Sequence, residues 1–148
     1  MITIRTASRE DLDALTVLFD LYRIWYHQPS DIAAARKFLL QRIEKNESVI
    51  LIAEQEGKLL GFTQLYPIFS SVSLRKAWLL NDLYVHAAAR NQGVAVQMLN
   101  AARLHGKESG AKWLMLQTGN DNYRAQSVYE KNGWKRISDY FYELPLED

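Results

Sequence analysis

Two runs of alternating residues, Val49–Glu54 and Leu59–Tyr66, stand on either side of the turn-forming stretch Gln55-Glu56-Gly57-Lys58. This spacing constrains the chain most, because it predicts a β-hairpin and so antiparallel pairing within any sheet. A further strand is expected at Ala77–His86, beyond the serine-rich loop Ser70-Ser71-Val72-Ser73, and Ile2 and Ile4 alternate with Thr3 and Arg5 as an opening strand. Helical spacing fills the intervals. Leu12, Leu15, Phe19, Tyr22 and Tyr26 step by three and four behind an expected N-cap at Ser8, with acidic Glu10 and Asp11 in the first turn. Pro29-Ser30 interrupts that helix, and Ser30 is expected to cap a second one carrying Ile32, Ala35, Leu39 and Ile43. Ala95, Met98, Leu99 and Ala102 mark a third helix closing near Gly110, and Asn122–Asn132 a short fourth. Trp113–Thr118 reads as a strand and Trp134–Leu144 as two closing strands. Helices interleaved with hairpins and a strand–helix–strand unit indicate an α/β fold with a mixed sheet.

The 148 residues, 48% of them hydrophobic, suit one compact domain spanning 1–148. The absence of cysteine excludes a disulfide framework, thiolate zinc sites and a cysteine nucleophile. Eighteen basic residues against seventeen acidic ones leave a net charge of +1, so no nucleic-acid partner is expected. Apolar runs such as Val49–Ala53 fall far short of the ~20 residues that span a bilayer, and no membrane partner is expected. Met1–Arg5 lacks the pattern of a signal peptide, which makes a cytoplasmic location the expectation. The three histidines are scattered, so no metal site is expected, and His27 and His105 read as exposed helix residues.

Two motifs carry chemistry. Arg90-Asn91-Gln92-Gly93-Val94-Ala95 lies between a strand and a helix. Backbone N–H groups unpaired at a helix start converge beside its positive end, where they suit a phosphate or pyrophosphate. Small residues at Gly93 and Ala95 would let a ligand approach, and Arg90 adds charge. A plain connection between strand and helix is the other reading. The second motif is Asn122-Tyr123-Arg124-Ala125-Gln126-Ser127-Val128-Tyr129, followed by Gly133-Trp134. Asn122 is expected to cap the helix and Gly133 to end it. Tyr129 falls two turns after Asn122, either as a proton donor or as a core aromatic with a wet hydroxyl.

Taken together, R-x-x-G-x-A after a strand and N-x-x-A-x-x-V-Y-x-x-x-G-W some thirty residues on resemble the GCN5-related N-acetyltransferase (GNAT) superfamily, over essentially the whole chain. The resemblance implies a mixed, mostly antiparallel sheet flanked by about four helices, acetyl-CoA as cofactor and a primary amine as acceptor. It matches Arg90, Asn91, Gln92, Gly93, Val94, Ala95 and Val96 to the pyrophosphate loop, and Leu83, Tyr84 and Val85 to the strand lining the pantetheine arm. Asn122, Arg124 and Ala125 match the second cofactor segment, and Tyr129 the tyrosine beside the sulfur. Asn91 departs from the pattern, where glycine is common; asparagine tolerates left-handed backbone nearly as well.

Acyl transfer to an amine needs a polarised thioester carbonyl, which a backbone N–H near Val85 can supply, and a proton for the leaving thiolate, a role for Tyr129. Asp82 and Glu54 are the candidate acidic groups for binding or deprotonating the amine, with Tyr84 and His86 behind them; a strand-end hydrogen bond is the structural alternative for Asp82. Asp82, Tyr84 and His86 share one strand face by period two, and Asn81, Leu83 and Val85 the other. In this family the acceptor pocket lies beside the first two helices, here Tyr22, Trp25, Tyr26 and His27 with Tyr66, Pro67, Phe69 and Ser70, where aromatics beside an aspartate suit a cationic amine. Small amines, amino acids and protein lysines remain open as acceptors. An acyl-CoA-binding sensor without turnover is the rival reading. The aromatic segment Asp139–Leu146, expected to leave an unguarded strand edge, points with the family to a homodimer.

Overall fold

The computed structural model describes residues 1–147, which divide into two compact units, Met1–Gln117 and Thr118–Asp148. The first unit opens with strand β1 (Thr3–Thr6) and a 3₁₀ turn at Arg9–Asp11, followed by helices α1 (Leu12–Trp25) and α2 (Ile32–Glu44). Strands β2 (Val49–Gln55), β3 (Lys58–Ser70) and β4 (Arg75–Val85) come next, then a 3₁₀ turn at Ala87–Ala89, helix α3 (Val94–Glu108) and the short strand β5 (Leu114–Met115). The second unit contains helix α4 (Tyr123–Lys131). Among the described residues the sheet has five strands in the order β1-β2-β3-β4-β5, antiparallel except for the parallel β4–β5 pair. This is the mixed, mostly antiparallel sheet with four α-helices that the sequence predicts.

Within the first unit each face of the sheet has its own core. Leu12, Leu15, Leu18 and Phe19 of α1, with Ala35 and Leu39 of α2, pack on Ile50, Ile52 and Phe62, with Tyr22 and Tyr84 at the margin. On the other face Val94 and Met98 of α3 pack with Ala53 and Ala89, joined by Ile2, Ile4, Leu60, Leu83 and Val85. Each fully buried aliphatic or aromatic side chain of this kind contributes about 1.5–3 kcal/mol. The predicted helical stripe therefore holds through Phe19, becomes half-buried at Tyr22 and ends at exposed Tyr26.

A one-residue bulge decides what β4 presents. Gln64 pairs with Asp82 and the next residue, Leu65, with Leu80, so Asn81 has no partner in β3. Trp78 accordingly faces α3, its ring 4.9 Å from His105 and its Nε1 donating to Ser109 Oγ at 2.9 Å. Tyr84, an even number of residues on, faces α1 instead. Backbone direction inverts too, because Trp78 N–H donates to Trp113 in the β5 arm whereas His86 N–H donates to Leu60 of β3. By the same alternation the polar groups of Leu83 and Val85 point away from β3, along an edge that β5 does not reach, since β5 pairs only with Trp78 and Leu79. Gly61 brings β3 close here: a Cβ on it would stand 2.6 Å from the Tyr84 carbonyl oxygen and 3.3 Å from Val85 Cα.

Several expectations need correction. The cap of α2 is Asp31, whose side chain accepts from Ala34 N–H, while Ser30 donates to the buried Asp20 carboxylate at 2.6 Å. The strand expected at Trp113–Thr118 shrinks to Leu114–Met115. The described residues from Trp134 onward contain no strand, so the two closing strands are not formed. Tyr140, Tyr142 and Leu146 are strongly exposed there, and alternation without a paired backbone does not make a strand. His27 lies beyond α1 at φ 63°, and His105 is half-buried against Trp78, with desolvation pushing its imidazole pKa down.

Candidate active site

Asp82 is the group around which the first unit's site is built. It is 5% exposed, and Gln64 Nε2 donates to its Oδ2 at 2.7 Å while Asn81 Nδ2 donates to its Oδ1 at 3.0 Å. The Tyr22 hydroxyl is a third partner. Burial pushes the Asp82 carboxyl above its usual value, and these three neutral donors hold it down only in part. Thr63 Oγ1 donates to the Asp82 carbonyl at 2.7 Å and fixes the backbone beside the bulge.

Aromatic rings line the approach. Tyr22 lies 5.1 Å from Tyr26, 5.6 Å from Phe62 and 6.2 Å from Tyr84, centroid to centroid. Desolvation, with the Asp82 charge, pushes the Tyr22 hydroxyl far up and that of Tyr66 up to about 12, so both stay protonated at neutral pH. A carboxylate with neutral partners inside such a wall can take up a cationic or amine-bearing ligand. Trp25, 62% exposed, carries the Arg90 guanidinium 5.2 Å above its ring. Phe69 and Ser70 pair with Lys76 and Arg75 at the far end of the β3–β4 hairpin, away from Asp82.

Glu54 has a different engagement. Arg5 donates to both of its carboxylate oxygens, at 2.9 and 3.1 Å, and to both of Asp11 at 2.8 and 2.9 Å. Those hydrogen bonds hold the Glu54 carboxyl down. His86 likewise acts locally, its Nδ1 accepting from Ala88 N–H at 3.1 Å.

The glycine loop has the predicted form. Asn91 sits at φ 63° and Gly93 at φ 77°, the latter as N-cap of α3. Nothing lies within 4 Å of where a Gly93 Cβ would stand, so the space before the helix is open. Val94 is buried, which fixes the start of α3 and aims its first N–H groups into that space. Gln92 is exposed, and Ala95 and Val96 are half-buried within the helix. Arg90 turns toward β4, its Nε donating to Val85 O at 3.1 Å and its guanidinium 5.7 Å from the Tyr84 ring.

In the second unit Asn122 caps α4, its side chain accepting from Ala125 N–H at 3.3 Å. Gly133 N–H and Trp134 N–H close the helix onto Glu130 and Tyr129 carbonyls, the paired closure expected of a glycine at that place. Arg124 is exposed, whereas Ala125 and Tyr129 are half-buried, with the Tyr129 ring 6.2 Å from Trp134.

The sequence model of the acetyltransferase (GNAT) family matches residues 14–134. The chain belongs to the GNAT acetyltransferase family. The GNAT chain is 47% identical over 137 residues to the uncharacterized N-acetyltransferase YhfO of Bacillus subtilis (strain 168), covering 93% of this chain and 92% of that one. It is 28% identical to a probable acetyltransferase of Haemophilus influenzae, covering 95% of each. The crystal structure of a probable acetyltransferase superposes with a TM-score of 0.94 at 42% identity over 99% of both chains. The resemblance read from two short motifs is thus a family membership, and this GNAT enzyme carries an acetyltransferase fold.

Gln64 escaped the sequence reading. A polar residue two positions from Phe62 and two from Tyr66, on the inward face of an otherwise apolar strand, was the available signal. In this GNAT chain it is fully buried.

Proposed function

We propose that this acetyltransferase uses acetyl-CoA to acetylate the primary amine of a small cationic acceptor by direct attack in a ternary complex. The observation that carries the acceptor side is Asp82, buried among aromatic rings with only neutral donors as its hydrogen-bond partners. Its carboxylate binds the incoming ammonium and takes up the proton the amine must shed, directly or through water.

The cofactor fits the residues present. Open space at Gly93, the aimed N–H groups of α3 and the edge at Leu83 and Val85 that β5 leaves uncovered form an anion cradle beside an amide-binding edge. Residues 90–96 would hold the pyrophosphate, Leu83–Val85 the pantetheine arm, and Asn122, Arg124 and Ala125 a further part. Acetyl-CoA supplies the activated thioester. On this reading Val85 N–H would polarise the thioester carbonyl, and the Tyr129 hydroxyl would donate a proton to the departing thiolate.

Family membership across residues 14–134 supports one catalytic domain that includes both units. No helix among the described residues is long and apolar enough to cross a membrane, which supports a cytoplasmic location within this reading. A homodimer belongs to it as well, supported by the exposed aromatic segment near Tyr140 and Tyr142. Light scattering should give about twice the 17.1 kDa chain mass.

The deciding experiment is a panel of diamines, amino acids and lysine peptides with acetyl-CoA, read by free thiol. Small cationic amines should accelerate thiol release, and Tyr129→Phe should slow it roughly 10- to 1000-fold with acetyl-CoA affinity kept. Tight CoA binding with no amine-dependent thiol would instead establish a sensor.

A further inference from the structure

Gln64 has a more specific place than a buried amide ordinarily has. It is closed to solvent, and both its carbonyl oxygen and its NH2 group are hydrogen-bonded. Ser48 Oγ donates to its Oε1 at 2.8 Å, its Nε2 donates to Asp82 Oδ2 at 2.7 Å, and its side chain also hydrogen-bonds the Tyr66 hydroxyl. An amide side chain can be turned end for end. The flipped form would set a carbonyl oxygen against the Asp82 carboxylate, which only accepts, so the carboxylate itself selects the observed orientation and the Ser48 hydroxyl buttresses the amide from its other end.

The choice of an amide is informative. A lysine or arginine at this position would neutralise Asp82 permanently and compete with an incoming ammonium. An alkyl side chain would leave burial to protonate the carboxyl. A fixed N–H does neither: it supports the charge without cancelling it. We propose that Gln64, buttressed by Ser48, is a positioning residue that keeps the Asp82 carboxylate ionised and turned toward the acceptor amine, an inference resting on the reading that Asp82 receives that amine.

The groups around Asp82 leave its titration distinct. Tyr22 faces it from α1 and Tyr66 from β3, Tyr26 and Tyr84 pack on the Tyr22 ring, and Arg42 of α2 acts on Tyr66. Tyr22 and Tyr66 are both raised beyond the neutral range, so neither tyrosine contributes to the acid limb of the amine kcat/KM profile.

The test is the pH profile of kcat/KM for the best amine of the panel, measured on the full chain. Gln64→Met, close in volume but without the amide, should move the acid limb up by about 1–2 pH units, as losing a hydrogen bond to a charged group implies. Ser48→Ala, at a half-exposed position and less demanding of the fold, should move it in the same direction by less, and Ser48→Thr, which keeps the hydroxyl, should bring it back. A lower rate with an unmoved limb in Gln64→Met and Ser48→Ala would overturn the proposal and assign Gln64 to packing. Should Gln64→Met not fold, the Ser48 pair decides alone. Asp82→Asn separates the underlying reading: an unchanged amine KM in that variant removes Asp82 from the acceptor site and the proposal with it, whereas a raised KM beside an unmoved limb overturns the Gln64 role only.

Discussion

The Arg5 cluster and the Asp82 pocket both hold carboxylates against the same sheet, and they treat them in opposite ways. Around Arg5 one guanidinium reaches all four oxygens of Asp11 and Glu54, and Asp11 is held down at about 2, first by that hydrogen bonding. Around Asp82 the donors are neutral and burial wins, so its carboxyl rises. Asp20 makes the contrast sharper. It too is buried, yet its carboxyl is lowered, because hydrogen bonds from Ser30 Oγ at 2.6 Å and Asp31 N–H at 2.8 Å, with the Arg23 charge, outweigh desolvation. Asp11, Glu54 and Asp20 are satisfied by the fold. Asp82 is left with unmet demand, and a ligand can meet it.

The contrast breaks first at Asp82. Asp82→Asn should raise the amine KM or lower kcat/KM by about 100-fold or more, as expected when one partner of a buried ion pair of about 3–5 kcal/mol is removed. The melting temperature should stay level or rise, since a buried charge has gone. Asp20→Ala should do the reverse, costing about 2–4 kcal/mol of stability in urea titration through loss of two hydrogen bonds to a charged group, with amine KM unchanged. A smaller effect is expected for Arg5→Met. The Arg5 side chain is 38% exposed and its pairs are screened, so melting should fall by only ~2–4 °C, with no change in acetyl transfer. The smallest effect is a pH dependence of opposite sign at the two places. Asp11, lowered in the folded state, stabilises above its ordinary 3.8, and that contribution is lost as pH falls through about 2. Asp82, raised in the folded state, contributes most below 3.8 and loses that contribution as pH climbs through its folded value. Urea midpoints against pH for Asp11→Asn and Asp82→Asn should each remove one of these slopes; two slopes of the same sign would mean the carboxylates are not treated differently.

What the sequence shows and what it hides follow the range of the interaction. The β2–β3 hairpin, the left-handed Asn91, the Asn122 cap and the Gly133 closure all depend on neighbours within a few residues, and each is where local chemistry puts it. The α2 cap went to Asp31 because Ser30 is drawn to Asp20, a partner on another helix. Glu54 and Asp82 look alike in sequence, two acids in strands; only the return of Arg5 from β1 separates them. Gln64 of β3 and Ser48, just before β2, meet through strand pairing that no local pattern encodes. The face shared by Asp82 and Tyr84 follows from period two, but its side of the sheet depends on the Asn81 bulge, which no alternation shows.

That single unpaired residue works as a half-wavelength phase slip in β4. Beyond it, the side chain of Tyr84 packs toward α1, while those of Leu83 and Val85 pack toward α3. On the proposed reading two recognition tasks are thus written on one short stretch in antiphase. On that same reading the side chain at 84 can drift toward new amines while Asp82 and the backbone edge, whose chemistry is indifferent to side-chain identity, stay constant.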